Sequence, residues 1–222
     1  MKDNNLPVIE YENTKAVTLF FLIDHKKAAD LCGDLFLPVR YFFNKSLAFL
    51  SFYDNQKSDI GPYKEIAIGI KARFHERKEK GYYIFHLPVS TKIARDKGIK
   101  IWGFPKTLNK ISVNMSEKSA SISLNDLKMK NIFSLKTNFI NLAKVNSKDI
   151  TLFSIHKKRA VSSKLQVNGK SSLKLCRNYT ISVSNQQEVT KILEKLNLHK
   201  KKPFMAVYAE NKRSRLFKGK KI

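Results

Sequence analysis

Short apolar runs with alternating or β-rich character recur from one end of this chain to the other, and they limit the possible folds more than any other feature. VTLFFLI, SLAFLSFY, YKEIAIGIKARF, YYIFHLPV, KISVNMS, SASISLN, DITLFSIH, YTISVS and FMAVYA are rich in β-branched and aromatic residues. A chain of many strands must bury one face of each, either against a second sheet or by closing the sheet on itself. The expected class is mostly β (α+β), built as two packed antiparallel sheets or a closed barrel. Three segments read as helices. DHKKAADLC (24–32) opens with a capping aspartate, and STKIARDKG (90–98) has Ser90 as an N-cap and Gly98 as a stop. SNQQEVTKILEKLNLHK (184–200) places Ser184 and Gln187 at capping-box spacing, with Val189, Ile192, Leu193 and Leu196 as a stripe for packing on the sheet.

No repeat, Gly/Ser linker or heptad divides the sequence, so one domain is expected over residues 1–222, ending in a basic tail from about residue 211. The formal net charge of +25 attracts anions of every kind and does not choose among small carboxylates, nucleic acid and acidic lipid. The cations are dispersed except in the tail NKRSRLFKGKKI, which reads as a solvated end. No recognition helix, finger spacing or RNP-like aromatic motif accompanies them, so nucleic acid is not an expected partner. The apolar run AVTLFFLI (16–23) is too short to span a bilayer and is followed by DHKK, which makes it a buried strand of a soluble protein with no membrane partner. Cys32 and Cys176 are distant in sequence and lack ligand spacing, as do His25, His75, His156 and His199. A reducing, cytoplasmic setting and no metal are expected.

In YKEIAIGIKARF, Ile66, Ile68, Ile70, Ala72 and Phe74 share one face, and Glu65, Ala67, Gly69, Lys71 and Arg73 the other. Ala and Gly are poor β-formers. Beside a glutamate they suit a wall lining a cavity, or a place where another backbone approaches. An edge strand with its glutamate in water fits the same pattern. Tyr63 shares the Glu65 face and is a candidate pocket residue; His86 in YIFHLPV could line the same cavity or sit in the core.

The segment IKIWGFPKTLNKISV (99–113) frames one lysine. Pro105 restricts Phe104 to extended conformations and Gly103 permits a tight bend, so Lys106 is aimed in a fixed direction between Trp102 and Phe104. An amine in apolar surroundings favours its neutral form, which attacks carbonyl carbon. A lysine after proline is also commonly an exposed turn residue, and the residues alone leave both readings open.

LPVSTKIARDKGIKIWGFPKTL (87–108) resembles the signature segment of the acetoacetate decarboxylase family, in which a proline and the Schiff-base lysine follow a Trp-Gly or similar pair after a short helix. IGPYKE (60–65) is similar to the family's Gly-x-Tyr-x-Glu strand. The resemblance implies a barrel-like cone with flanking helices and an apolar cavity, with Lys106 as nucleophile and Glu65 as the active-site glutamate. It implies no cofactor, a small carbonyl-containing substrate and a homo-oligomer. Trp102, Phe104, Tyr63, Phe85 and Thr107 are then candidate pocket residues. Thr107 stands where the decarboxylase proper has a second lysine, and Leu22 where it has a carboxylate-binding arginine; a further glutamate near SLAFLSFY has no counterpart. These departures argue against acetoacetate itself and leave decarboxylation, aldol, retro-aldol and dehydration chemistry open. A non-catalytic binding protein with the same barrel and pocket is the first alternative, and a basic nucleic-acid-binding protein, suggested only by the charge and the tail, is the second.

Overall fold

The computed structural model describes residues 7–184 and 187–222. Its strands are Pro7–Asp24 (β1), Phe36–Pro38 (β2), Lys45–Ser58 (β3), Tyr63–Phe74 (β4), Lys80–Val89 (β5), Lys106–Leu108 (β6), Lys110–Met115 (β7), Ser119–Asn125 (β8), Asn131–Asn146 (β9), Ile150–His156 (β10), Arg159–Asn168 (β11), Lys170–Val183 (β12), Met205–Phe217 (β13) and Lys220–Lys221 (β14). Three helices accompany them: His25–Cys32 (α1), Lys92–Trp102 (α2) and Glu188–Lys195 (α3).

The order β11-β10-β5-β4-β3-β1-β13 closes on itself because β13 also pairs with β11, giving a seven-strand barrel. β12, β9, β8 and β7 continue from β13 as an outer sheet. The expected barrel with flanking helices is what forms, although two of its ladders are parallel rather than antiparallel: β10 on β5 and β6 on β5. A parallel neighbour needs a crossover. The α2 segment supplies it for β6, and the chain from β6 to β9, which includes most of the outer sheet, supplies it for β10.

Strand parity separates two clusters of buried side chains. Val17, Leu19, Phe21 and Ile23 of β1, Leu50 and Phe52 of β3, and Ile66, Ile68 and Ile70 of β4 point out of the barrel and meet Ile122, Leu124, Phe133 and Leu135 of the outer sheet. Their alternating neighbours Phe20, Phe49, Tyr63 and Ala67 point inward with Ile84, Leu87 and Phe104. Both faces of the barrel wall are covered, so these strands read as nearly continuous apolar runs. β4 lies between β3 and β5, which removes the edge-strand reading of Glu65. Gly69 is the point of close approach: a Cβ there would lie 2.2 Å from the Tyr83 carbonyl oxygen and 2.5 Å from the Phe49 ring.

Capping settles the helices. Asp24 caps α1, its carboxylate accepting from the Lys26 and Lys27 N–H groups at 3.0 and 3.2 Å. The N-cap of α2 is Thr91 rather than Ser90, whose hydroxyl accepts from the Lys64 N–H at 2.8 Å instead. Gly98 does not end α2; the helix continues to Gly103, a left-handed C-cap with φ of 63°. The stripe Val189, Ile192, Leu193 and Leu196 of α3 is buried as expected. The capping box is absent: Ser184 bonds to the Asn131 carbonyl, Gln187 makes no side-chain cap bond, and Asn185 and Gln186 lie outside the described residues.

The presumed basic tail is largely β13. Residues 211–217 complete a barrel strand, because alternation puts Leu216 into the interior cluster while Arg213 and Arg215 face out. Among the described residues no helix is long and apolar enough to cross a membrane.

Candidate active site

The α2–β6 junction aims Lys106. Gly103 turns the chain, Pro105 keeps it extended, and the Pro105 carbonyl accepts from the Leu87 N–H at 3.0 Å before Lys106 pairs alongside Leu87. The side chain then crosses the surface of α2 at Gly98, where an added Cβ would lie 2.5 Å from both Cδ and Cε. Gly98 therefore provides the passage for the lysine rather than a helix stop. At the end of that passage Lys106 Nζ donates to Glu65 Oε2 at 2.7 Å. Only 6% of the lysine side chain and 15% of the glutamate side chain is exposed, so both charges are largely withdrawn from bulk water.

The pair sits on the wall of a cavity of about 550 Å³ inside the barrel. Phe20, Phe49, Ala67, Ile84, Leu87 and Phe104 give it an apolar wall. Polar groups from β1, β3 and β4 converge beside Glu65. The Tyr63 and Tyr11 hydroxyls are 3.0 Å apart, and the Tyr63 ring centre lies 5.6 Å from Lys106 Nζ. Burial, followed by electrostatic repulsion from the Tyr11 oxygen and from Glu65, raises Tyr63 well above the ordinary phenol value. Burial and then Glu65 do the same for Tyr11, and burial pushes Tyr53 up to about 12. The three phenols are thus neutral hydrogen-bonding groups throughout the physiological range.

Of the residues singled out from sequence, Lys106, Glu65, Tyr63 and Phe104 meet at this cavity; Trp102, Phe85, Thr107 and His86 do not line it. Trp102 stands behind Phe104, with ring centres 6.1 Å apart and planes inclined by 14°, and its Nε1 donates to the Phe217 carbonyl at 2.7 Å. It supports the wall from outside. Phe85 is the extra residue of a β-bulge, since Ile68 pairs with His86 while Gly69 pairs with Ile84. The bulge lets Ile84 and Leu87 both face the cavity and leaves Phe85 packed on the outer-sheet cluster. Thr107 follows Lys106 on an extended strand, so it points the other way and donates to Asn109 Oδ1 at 2.8 Å. With His86 it lines a separate hollow under α3, where burial lowers the imidazole pKa. Leu22 does not line the barrel cavity; its carbonyl accepts from Lys201 Nζ at 3.0 Å.

The sequence reading missed Tyr11, Tyr53, Asn55 and Lys212, all of which line the cavity. For three of them the signal was present, because Phe49, Ser51, Tyr53 and Asn55 alternate with Leu50 and Phe52, and Tyr11 belongs to the same first strand as the apolar run. Among the described residues no group of three or more His, Cys, Asp or Glu side chains is placed to hold a metal ion.

With this geometry in place, comparison decides the family. A model of the family described as acetoacetate decarboxylase (ADC) matches residues 2–139. The chain belongs to the acetoacetate decarboxylase family. A search of curated proteins gave no match. Among solved structures, the chain is similar to the acetoacetate decarboxylase from Legionella pneumophila subsp. pneumophila str. Philadelphia 1, with a TM-score of 0.73, 14% identity, and coverage of 98% of this chain and 87% of that one. An acetoacetate decarboxylase-like enzyme from Sphingomonas wittichii RW1 superimposes with a TM-score of 0.69 at 13% identity, covering 99% and 94%. The enduracididine biosynthesis enzyme MppR, complexed with the condensation product of pyruvate and imidazole 4-carboxaldehyde, gives 0.70 at 10% identity, covering 99% and 91%. At these identities the shared property is the fold.

Proposed function

We propose that this protein is a Schiff-base-forming lyase that acts on a small keto acid or related carbonyl compound through Lys106. The observation that carries the reading is the amine of Lys106 held 2.7 Å from the Glu65 carboxylate on the wall of an apolar cavity. The capture of pyruvate-derived ligands by MppR, which shares the fold, supports a keto-acid substrate.

Burial alone was the sequence-based reason for a reactive amine; the carboxylate adds a proton acceptor. Proton transfer from the Lys106 ammonium to Glu65 gives a free amine and a carboxylic acid without stranding a charge in the cavity. The amine adds to the substrate carbonyl. Glu65 returns its proton to the departing hydroxyl as water leaves, and the resulting iminium again lies opposite a carboxylate. That positive nitrogen accepts the electron pair released when a bond at the adjacent carbon breaks. Loss of C–COO⁻ releases carbon dioxide. Loss of C–H or C–C gives dehydration, aldol or retro-aldol chemistry. Glu65 delivers or removes the accompanying proton, and the neutral Tyr63–Tyr11 pair holds polar groups of the substrate beside it.

The two free thiols, Cys32 and Cys176, are buried and fit a cytoplasmic setting. A homo-oligomer belongs to the same reading and is checked by sedimentation. The chemical test is deuterium exchange. Keto acids incubated with the protein in heavy water should lose their α-proton NMR signals, or release carbon dioxide, and Lys106→Met should abolish either reaction. Binding without exchange or cleavage, across a panel of keto acids and aldehydes and with folded protein, would leave a ligand-binding barrel.

A further inference from the structure

Lys71, Lys80, Lys148 and Lys212 line the cavity without entering the Lys106–Glu65 chemistry; Lys71 lies over the Tyr82 ring at 4.0 Å and Lys80 and Lys148 are exposed, which leaves Lys212 as the part-buried cation with no such engagement. Strict alternation along β13 after Val207 and Ala209 would turn Asn211 and Arg213 inward. The register with β1 instead jumps from Ala16↔Ala209 to Thr14↔Lys212, and Asn211 sits at φ of 53° in the resulting bulge. Lys212, Ser214 and Leu216 consequently line the cavity. The two carboxylates that line the cavity are both engaged, Glu65 by Lys106 and Asp149 by Lys164. Among the described residues the Lys212 ammonium has neither an ion-pair nor a hydrogen-bond partner. Next to it in the ladder is Thr14, and next to Thr14 is Asn55. Asn55 is 4% exposed, and its one hydrogen bond is to Thr14, at 2.9 Å through its carbonyl oxygen. Among the described residues its amide N–H groups meet no acceptor. An ammonium and an amide that both line the cavity, with no acceptor for either among the described residues, are donors open to an anion.

Its position specifies the ligand. β13 and β4 are separated by β3 and β1 in one direction and by β5, β10 and β11 in the other, so Lys212 and Glu65 occupy opposed walls of the barrel. An anion held at Lys212 lies across the cavity from the carbon joined to Lys106. A single ammonium with a neutral amide matches one negative charge.

We propose that Lys212 and Asn55 form a carboxylate subsite, and that the substrate is a carbonyl compound bearing a carboxylate at the end remote from the carbonyl that Lys106 attacks. This inference rests on the Schiff-base reading for the position of the carbonyl, but the subsite itself does not. Ion pairing stabilises that carboxylate, so it is retained through the reaction and serves to orient the substrate. Burial lowers the Lys212 pKa to about 8, which leaves the ammonium mostly charged at neutral pH.

The test compares 4-oxopentanoate with pentan-2-one, which has the same carbon skeleton without the carboxylate. Each is titrated against the protein with borohydride, and the concentration giving half-maximal adduct on Lys106 is read by mass spectrometry. Wild-type protein should be labelled at concentrations at least tenfold lower by 4-oxopentanoate, and Lys212→Met should collapse the ratio between the probes toward one. Equal labelling by the two probes in the wild type, or a ratio that persists in Lys212→Met, overturns the proposal. Glutarate binding by calorimetry tests the subsite without covalent chemistry. Binding by wild type that is lost in both Lys212→Met and Asn55→Leu supports the subsite even where no adduct forms on Lys106, and that pattern would reject the Schiff-base reading alone. Failure of the wild type to bind glutarate counts against the subsite.

Discussion

Gly98 lies on the face of α2 that the Lys106 side chain crosses, and a methyl group added there would sit 2.5 Å from Cδ and Cε and 3.2 Å from Nζ. Ordinary carbon–carbon contact begins near 3.5 Å, so Gly98→Ala must displace the end of the lysine by about 1 Å. A shift of that size away from Glu65 takes the 2.7 Å contact beyond hydrogen-bond range. The colliding atoms belong to the flexible end of a side chain, not to backbone, and alanine is better than glycine within a helix by up to about 1 kcal/mol. The variant is expected to keep its stability within about 2 kcal/mol, since some of that gain is offset by a loosened ion pair. Misplacing the nucleophile by 1 Å should slow imine formation by roughly 100-fold. The assay pairs urea unfolding with single-turnover imine formation on pyruvate. A folded Gly98→Ala protein that forms the imine at the wild-type rate would refute the idea that α2 positions the amine.

Glu65→Gln preserves the shape of the acceptor but not its basicity, and should slow imine formation by roughly 10²–10⁴-fold; stopped-flow absorbance checks this. Gly69→Ala places a Cβ against the Tyr83 carbonyl, an atom of backbone in a closed barrel, and should destabilise by about 1–3 kcal/mol in urea unfolding. Lys212 titrates near 8 in the folded protein, below the ordinary lysine value of 10.5. Between those values the unfolded chain binds more protons, so the Lys212 contribution to stability rises with pH across the window and is least favourable below it. At about 1.4 kcal/mol per pH unit the change is at most on the order of 3 kcal/mol. It is read as the stability difference between wild type and Lys212→Met at pH 7.5 and pH 10, which cancels the opposing titration of the buried tyrosines. A pH-independent difference contradicts the assignment.

The two faces of β4 were legible because a strand inside a closed wall must alternate, and its small residues mark the lumen side. The Asp24 cap and the α3 stripe were legible for equally local reasons. The Lys106 and Glu65 assignments rested on resemblance, since a lysine after a proline is locally indistinguishable from a turn lysine. The misplacements have local causes that only tertiary structure exposes. Gly98 looks like a helix stop, but its small size serves the side chain crossing it. One inserted residue in β5 brings Leu87 to the cavity beside Ile84 and leaves Phe85 and His86 outside, and one in β13 turns Lys212 inward. A single-residue slip inverts every side chain beyond it, and neither bulged strand carries a glycine at its slip. β9 and β11 went unnoticed because their polar side chains broke the apolar run, although β11 closes the barrel.

Reductive trapping tests the central claim most directly. The protein is incubated at neutral pH with pyruvate and other keto acids or aldehydes, reduced with borohydride, digested and mapped by mass spectrometry. The expected result is a single reduced adduct on Lys106, formed in preference to the other lysines of this strongly basic chain and lost when the Glu65 carboxylate is removed. The absence of any adduct on Lys106 from folded protein, or labelling there no greater than on exposed lysines, would contradict the account.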